Sequence, residues 1–149
     1  MSNDIFQNPN GELLHPKNKE WTRNSITLLA YYQGQFVGSL HLLATSHYPY
    51  FVENGIPEIN DFNVIPPFRK LGIGDALMEA IEEIAFAKHG IVGIGVGLYQ
   101  SYGSAQRLYA KRGYIPDGRG VMYQQQPVIP GALACVDDDL NLYFTKVKP

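Results

Sequence analysis

The sequence predicts a single α/β domain over residues 1–149, built on a mixed β-sheet, and three observations carry this prediction. Apolar stretches of strand length alternate with two segments of helical period, in the order ββ, β, α, β, α, β. No internal repeat, linker or low-complexity segment divides the chain. Its 149 residues suffice for one core, since a chain of about 150 residues buries roughly 68–70% of its unfolded surface.

The first regular elements are two strands joined by a tight turn. Residues 26–32 and 35–43 are apolar and rich in aromatic side chains. Gln33 and Gly34 between them fit a hairpin turn in which glycine takes a positive φ angle. The two prolines and three aromatic residues of segment 45–57 then predict a structured loop.

A third strand and a long helix follow this loop. Residues 58–64 form a strand that ends at Ile65-Pro66-Pro67, because proline has no amide hydrogen for further pairing. The helix ends at Gly90, which suits the left-handed position that follows a helix. Its apolar face holds Leu77, Met78, Ile81, Ile84 and Ala85, and its polar face holds Glu79, Glu82 and Glu83.

The next strand, residues 91–99, has one face that is almost without side chains. Gly93, Gly95 and Gly97 alternate there with larger apolar residues. A glycine face of this kind allows another group to approach the backbone closely. Close packing of a helix and close approach of a ligand explain the pattern equally well.

The remaining segments carry weaker patterns. Residues 1–25 are rich in Asn, Lys, Pro and Gly without a sustained period, so we expect an irregular N-terminal arm. A second helix, capped by Ser101 or Ser104, is followed by turn-rich residues 114–139. Residues 140–147 alternate in polarity, as is typical of a closing strand.

Composition and charge exclude several classes of function. The net charge of -2 and the isoelectric point near 6.0 disfavour a nucleic-acid binder, which clusters Lys and Arg. Cys135 is the single cysteine and the four histidines are scattered, so neither a disulfide nor a metal site is expected. No run approaches the roughly 18 apolar residues of a membrane span, and no secretion signal is present. We therefore expect a cytoplasmic protein.

Residues 58–75 combine the features of an anion-binding site. A strand, an exit at proline, two glycines and a helix start follow one another there. Gly72 and Gly74 remove side-chain obstruction, so backbone N–H groups can face phosphate oxygens at the helix N-terminus. Arg69 and Lys70 add full positive charges. The P-loop and Rossmann patterns do not fit, because no Gly-Lys-Ser/Thr follows and a third small residue is missing.

Ordered motifs carry a resemblance to a known family. The run RKLGIG at residues 69–74 follows a strand that begins at Glu58, and the run AQRLYAKRGY at 105–114 follows the glycine strand. The first run resembles the R/Q-x-x-G-x-G/A signature, and the second the A-x-x-L-Y-x-K-x-G-F/Y helix, of the GNAT superfamily of N-acetyltransferases. The resemblance covers residues 26–116 and the closing strand. It implies a mixed, mostly antiparallel sheet flanked by helices.

The resemblance implies direct transfer of an acetyl group from acetyl-CoA to a primary amine of a small molecule or protein. An ammonium group with a pKa of ~10.4 is not a nucleophile, so a base must accept its proton. Glu58 matches the family position that serves as this base in the histone acetyltransferase branch; a structural role at the strand start is an equally good interpretation. Tyr109 matches the family's helix tyrosine and is expected to donate a proton to the leaving thiolate, in preference to a role as a packed aromatic residue.

The resemblance also implies which residues bind acetyl-CoA. Backbone groups late in the third strand are expected to hold the pantetheine like an added strand, and one amide there polarises the thioester carbonyl. Ser104 stands in for an asparagine that often contacts pantetheine in the family. The expected acetyl-CoA-binding residues are Phe62, Asn63, Val64, Ile65, Arg69, Lys70, Leu71, Gly72, Ile73, Gly74, Asp75 and Ser104.

Further expectations concern the amine acceptor. Only 25 residues precede the first hairpin, fewer than the family's usual strand and two helices need, so the N-terminal region is predicted to be shortened. Either the domain is genuinely reduced, or a neighbouring subunit, as in a homodimer, or loop 45–57 completes the pocket. Tyr48, Tyr50 and Phe51 are candidates to line this pocket, although aromatic residues in a proline-bearing loop more often only hold the loop in place. The acidic run 137–139 fits a solvated turn better than a substrate site. The alternative function is a catalytically silent CoA-binding module.

Overall fold

The computed structural model describes residues 3–7, 13–14, 21–22 and 25–149. These residues contain the strands β1 (Asn3–Gln7), β2 (Leu13–Leu14), β3 (Trp21–Thr22), β4 (Ser25–Tyr32), β5 (Gln35–Leu43), β6 (Glu58–Val64), β7 (Ile91–Gly97), β8 (Ile115–Tyr123), β9 (Gln126–Pro127) and β10 (Leu140–Val147). They also contain the α-helices α1 (Pro49–Glu53), α2 (Ile73–His89) and α3 (Gly103–Lys111). Short 3₁₀ helices lie at Pro66–Phe68 and Gln100–Tyr102.

Eight strands form one sheet in the order β1-β4-β5-β6-β7-β10-β8-β9, and β2 pairs separately with β3. Every neighbouring pair in the large sheet is antiparallel except β6 and β7, which are parallel. The predicted mixed, mostly antiparallel sheet with flanking helices is therefore confirmed. Among the described segments, no helix is both long enough and apolar enough to cross a lipid bilayer.

Helix α2 packs on one face of the sheet and forms the larger core with it. The predicted apolar face is confirmed, since Leu77, Met78 and Ile81 each have 0% exposure. The helix ends at Gly90, whose φ of 73° is the left-handed conformation that the sequence predicts. We call this cluster the α2-side core; its members include Leu40, Ile59, Ile73, Leu77, Met78, Ile81, Ile94 and Tyr109.

Aromatic rings of the chain itself cover the glycine face of β7. A Cβ atom built on Gly93 would lie 2.2 Å from Cε2 of Phe51, and one on Gly97 would lie 2.3 Å from Cε2 of Tyr102. At Gly95 the nearest atom is Cε1 of Tyr143, at 2.8 Å. Phe51 belongs to helix α1, so the predicted close packing of a helix holds at Gly93, and the rings occupy the space that a ligand would need. Gly93 and Gly95 make room for a second core on the sheet face opposite α2, formed by Tyr48, Phe51, Ile56, Met122 and Tyr143.

Two segments that the sequence left irregular contain strands. Residues 3–7 of the expected arm form β1, which pairs with β4 from Asn3–Tyr32 to Gln7–Leu28 and so satisfies the backbone groups at that edge of the sheet. The rest of the arm lies mostly outside the described residues. Within 114–139, residues 115–123 form β8 against β10. Its side chains are mostly exposed on both faces, so no alternation marks it in the sequence.

Two local predictions also differ from the structure. The loop 45–57 contains the helical turn α1, which begins at Pro49, a residue whose fixed φ suits the first turn of a helix. Neither Ser101 nor Ser104 caps α3; Tyr102 precedes the helix without a side-chain cap. The 3₁₀ turn just before α3 already bends the backbone into a helical path, so the helix begins without one.

Candidate active site

The parallel strands β6 and β7 separate soon after they meet. They pair only through Glu58 with Gly93 and Ile59 with Ile94. Beyond these pairs, β6 continues to Val64 against β5 alone, so its other edge is open toward β7. This open edge presents backbone N–H and C=O groups that an extended ligand can pair with.

A bulge interrupts β6, and the side chains before and after it contact different parts of the protein. The register with β5 shifts between Ser39 and His41, and Asp61 has a φ of 49° at this place. After the bulge, Phe62 and Val64 pack against the α2-side core. Glu58, before the bulge, instead contacts the loop that leads to the second core.

The turn before α2 has the backbone form of an anion cradle. Lys70 and Gly72 have positive φ angles, of 66° and 80°, immediately before the helix begins at Ile73. The first N–H groups of a helix have no partner inside the helix and carry its partial positive charge. Arg69 is exposed and donates from Nε to the Val64 carbonyl oxygen at 2.9 Å, which ties this turn to the end of β6.

The two glycines of the turn serve different purposes. Gly72 needs its conformation, since a Cβ there would meet nothing within 4 Å but would sit at a φ of 80°. Gly74 needs its small size, because a Cβ there would lie 3.1 Å from Cζ of Phe62. The free space above Gly72 leaves the amides of the turn accessible to a bound phosphate.

The Asp75 carboxylate is already engaged within the protein. Its Oδ1 accepts a hydrogen bond from Nη1 of Arg112 at 2.9 Å. Arg112 in turn donates to both carboxylate oxygens of Glu82, at 2.8 and 3.0 Å. Glu82, which the sequence places on the polar face of α2, is buried, with an exposure of 4%. Ser104 is exposed on the first turn of α3.

Tyr109 lies in the α2-side core next to Phe62. The ring centroids of Tyr109 and Phe62 are 6.4 Å apart, and those of Tyr109 and Tyr114 are 5.9 Å apart. Burial raises the pKa of Tyr109 well above its ordinary value, so the phenol stays protonated at neutral pH. Its hydroxyl has no hydrogen-bond partner in the part of the chain that the structure describes, which leaves the proton available to a ligand.

Glu58 is held by a buried serine. Oγ of Ser46, a residue with 4% exposure, donates to Oε1 of Glu58 at 2.5 Å and accepts from the Tyr48 amide at 2.9 Å. Burial raises the pKa of Glu58; the Ser46 hydrogen bond opposes this shift, and the nearby charge of Asp61 adds to it. Glu58 and Tyr109 make no contact with each other among the described residues, because they belong to opposite faces of the sheet.

A cleft of about 460 Å³ lies on the Glu58 side of the sheet, between α1 and β8–β9. Tyr48 and Tyr50 line this cleft, whereas Phe51, the third aromatic residue of the loop, is fully buried against Gly93. The lining residues are Tyr48, Pro49, Tyr50, Glu53, Gly118, Arg119, Met122, Gln125, Gln126 and Pro127.

Two polar residues near Glu58 were not found from the sequence. Ser46 carried no signal, because its role depends on a partner twelve positions away in the chain. His41 pairs in register with Asn60 of β6, and its ring Nδ1 lies 3.0 Å from Oγ1 of Thr27. Burial lowers the pKa of His41, against a smaller opposite effect of the Asp61 charge. The one sequence feature that could have identified His41 is that it is the only histidine among the apolar residues of β5.

Two carboxylates of the acidic run 137–139 accept hydrogen bonds from tyrosine hydroxyls. Asp137 accepts a hydrogen bond from the Tyr123 hydroxyl at 2.8 Å. Asp138 accepts hydrogen bonds from both Tyr99 and Tyr102. Within residues 25–149 and the shorter described segments, no three His, Cys, Asp or Glu side chains are grouped as a metal site.

The sequence model of the Acetyltransferase (GNAT) family matches residues 1–114, a range that holds both the β6–β7 opening and the turn before α2. The chain belongs to this family. Comparison with curated proteins gives no match.

Solved structures of GNAT proteins share the fold. The acetyltransferase from Streptococcus pneumoniae is 20% identical with a TM-score of 0.59, and the alignment covers 83% of this chain and 67% of that one. A GNAT family acetyltransferase from Elizabethkingia anophelis, solved with acetyl-CoA bound, is 20% identical with a TM-score of 0.60, over 83% of this chain and 76% of that one. The IAA acetyltransferase from Bacillus cereus is 19% identical with a TM-score of 0.60, and the alignment covers 83% of this chain and 77% of that one. Similarity at these identities establishes the fold alone.

Proposed function

We propose that this GNAT protein transfers an acetyl group from acetyl-CoA to a primary amine of a small molecule or protein, by direct attack in a ternary complex. The observation that carries the proposal is the open edge of β6, which leads directly into the positive-φ turn before α2. A long ligand with a pyrophosphate at one end and an amide-containing arm at the other suits this arrangement. Bound acetyl-CoA supplies the acetyl group as an activated thioester.

Different residues bind different parts of acetyl-CoA, from the pyrophosphate to the thioester. The amides from Lys70 to Asp75 face the pyrophosphate, and Arg69 and Lys70 add charge at an exposed position. The backbone of residues 62–65 holds the arm and polarises the thioester carbonyl. Ser104 lies on the first turn of α3 and contributes a hydroxyl to the arm.

Two side chains carry the proton transfers in this proposal. Glu58 accepts the proton of the attacking amine, from the sheet face that carries the cleft. Tyr109 donates its proton to the departing thiolate, from the face that carries α2. The gap between β6 and β7 connects the two faces, so acceptor and donor meet there from opposite sides.

The deciding experiment is calorimetric titration with acetyl-CoA and with CoA, followed by thiol release against a panel of amines. Binding with amine-dependent thiol release would support the transferase. Binding without release would support a catalytically silent CoA-binding module. A failure of both ligands to bind would refute the cradle on which either function depends. A cytoplasmic location and a homodimer remain predictions of the sequence.

Replacement of Gly72 by alanine is expected to weaken acetyl-CoA binding about tenfold. A Cβ at a φ of 80° is strained by about 1–2 kcal/mol, and relief of this strain turns the neighbouring amides away from the phosphates. Gly131→Ala is the matched control, because Gly131 also has a positive φ and open surroundings but lies in the segment after β9. Equal affinities of the two variants in calorimetry would argue against the cradle.

Replacement of Tyr109 by phenylalanine is expected to lower kcat about tenfold or more and to leave the affinity for acetyl-CoA nearly unchanged. The ring and its packing remain, and only the donor to the thiolate is lost. Tyr114→Phe is the control, since the Tyr114 hydroxyl donates to Glu82 at 2.9 Å and has a structural role. Thiol-release kinetics that respond equally to both substitutions would contradict a specific role for Tyr109.

A further inference from the structure

The guanidinium group of Arg119 lines the cleft between α1 and β8–β9 and has no ion-pair partner among the described residues. Arg119 is exposed, and its Cζ lies 4.4 Å from the centroid of the Tyr50 ring. The Asp117 carboxylate, two positions before Arg119, has other partners: Oδ1 accepts from the Arg119 backbone amide at 2.9 Å and Oδ2 accepts from the Tyr48 hydroxyl at 2.7 Å.

This arrangement leaves the N–H donors of Arg119 free. Contact with the face of an aromatic ring restrains a guanidinium without using its in-plane donors. A restrained guanidinium binds a carboxylate through two parallel hydrogen bonds, at a smaller entropic cost than a mobile one. Arg119 is therefore suited to hold an anionic group that enters the cleft.

The cleft and the predicted base share Tyr48. Tyr48 lines the cleft, and its hydroxyl donates to Asp117, whose other carboxylate oxygen accepts from the Arg119 amide. The Tyr48 amide donates to Ser46, which in turn donates to Glu58. One residue thus connects the surroundings of the guanidinium with those of the base.

We propose that the cleft selects amine acceptors that also carry a carboxylate, with the amine at Glu58 and the carboxylate at Arg119. The inference rests on the proposed transferase function and names its acceptor class. Glu53 is the carboxylate among the cleft-lining residues, and it is exposed at the end of α1. Its charge opposes binding of an anionic group, so Arg119 and Glu53 have effects of opposite sign.

The test uses ω-amino acids from glycine to 6-aminohexanoate, each paired with the primary alkylamine that lacks its carboxylate. At saturating acetyl-CoA, we expect kcat/KM for at least one amino acid to exceed that of its matched amine about tenfold, as one charge-assisted contact provides. Arg119→Gln should reduce this preference to about threefold or less, and Glu53→Gln should increase it. Lys88→Gln, an exposed cation on α2, is the control for net charge and should leave it unchanged.

The possible outcomes distinguish a failure of the proposed acceptor class from a failure of the proposed transferase function. Turnover of amines without preference for a carboxylate, or a preference that Arg119→Gln retains, would overturn the acceptor class and leave the transferase intact. If no amine releases thiol, the transferase proposal fails. The cleft is then tested by calorimetry of the CoA-saturated protein with 6-aminohexanoate. Binding that Arg119→Gln abolishes would support the carboxylate site, and no binding would refute it.

Discussion

Replacement of Glu82 by glutamine is expected to lower the free energy of unfolding by about 3 kcal/mol. The Glu82 carboxylate is 4% exposed and accepts two hydrogen bonds from Arg112, one from Tyr114 and one from Lys146. Glutamine keeps the volume but removes the charge, so two partly buried cations lose their shared counter-charge. Urea denaturation followed by circular dichroism measures the loss.

Glu83→Gln is the matched control, because Glu83 is exposed one position along the same helix and should change stability by no more than about 0.5 kcal/mol. Burial disfavours the charged form of Glu82, but hydrogen bonds from its three partners outweigh burial and lower its pKa below 4.5. Because the pKa of Glu82 is lowered in the folded state, its carboxylate contributes stability above pH 4.5. This contribution is lost as the pH falls through the pKa of Glu82 in the folded protein. The difference between wild type and Glu82→Gln should therefore narrow in acid, and a difference that widens would contradict this assignment.

Glu82 illustrates why a helix can be predicted while one of its faces is not. The period of apolar residues fixes α2 and its end at Gly90, because both depend on neighbours in the sequence. The environment of Glu82 depends on Arg112, 30 residues away, and Lys146, 64 residues away. These partners contact Glu82 only once α3 and β10 pack against the helix, so the periodicity places Glu82 on the polar face but cannot show that it is buried there.

The strands likewise divide into those that their own residues predict and those that depend on distant segments of the chain. β4, β5, β6 and β10 alternate or run apolar over their own length, which predicts them. β8 has exposed residues along most of its length and pairs with β10, a strand that follows later in the chain. The glycines of β7 predict that some group approaches the backbone closely, but two of the three rings that do so, Phe51 and Tyr143, lie far away in sequence.

The candidate site was predictable where it is a local backbone feature. The turn before α2 follows from Gly72 and the helix that begins after it, and the structure adds a positive φ at Lys70. The partner of Asp75 and the serine that holds Glu58 were not predictable, since each requires knowledge of which distant segment is adjacent. The cleft depended on the pairing of β8 and β9, for which the sequence carried no signal.

Replacement of Glu58 by glutamine is expected to lower kcat by about 10²- to 10⁴-fold, the usual contribution of a general base. Glutamine keeps the size and the hydrogen bond from Ser46 but cannot accept the proton of an amine. The affinity for acetyl-CoA should change little, because the cradle lies at the other end of β6. Thiol-release kinetics and calorimetry on the same preparation measure the two quantities.

Two neighbouring substitutions test whether Glu58 titrates as the base, since they shift its pKa in opposite directions. Ser46→Ala removes a donor that favours the carboxylate, which raises the pKa of Glu58 and moves the acid limb of the kcat/KM profile to higher pH. Asp61→Asn removes a like charge, which lowers the pKa of Glu58 and moves the same limb to lower pH. A base elsewhere would not respond with these two signs. If Glu58→Gln retains activity and only Asp61→Asn moves the acid limb, to lower pH, His41 becomes the base to test, because the Asp61 charge raises the pKa of His41 whereas Ser46 does not contact it.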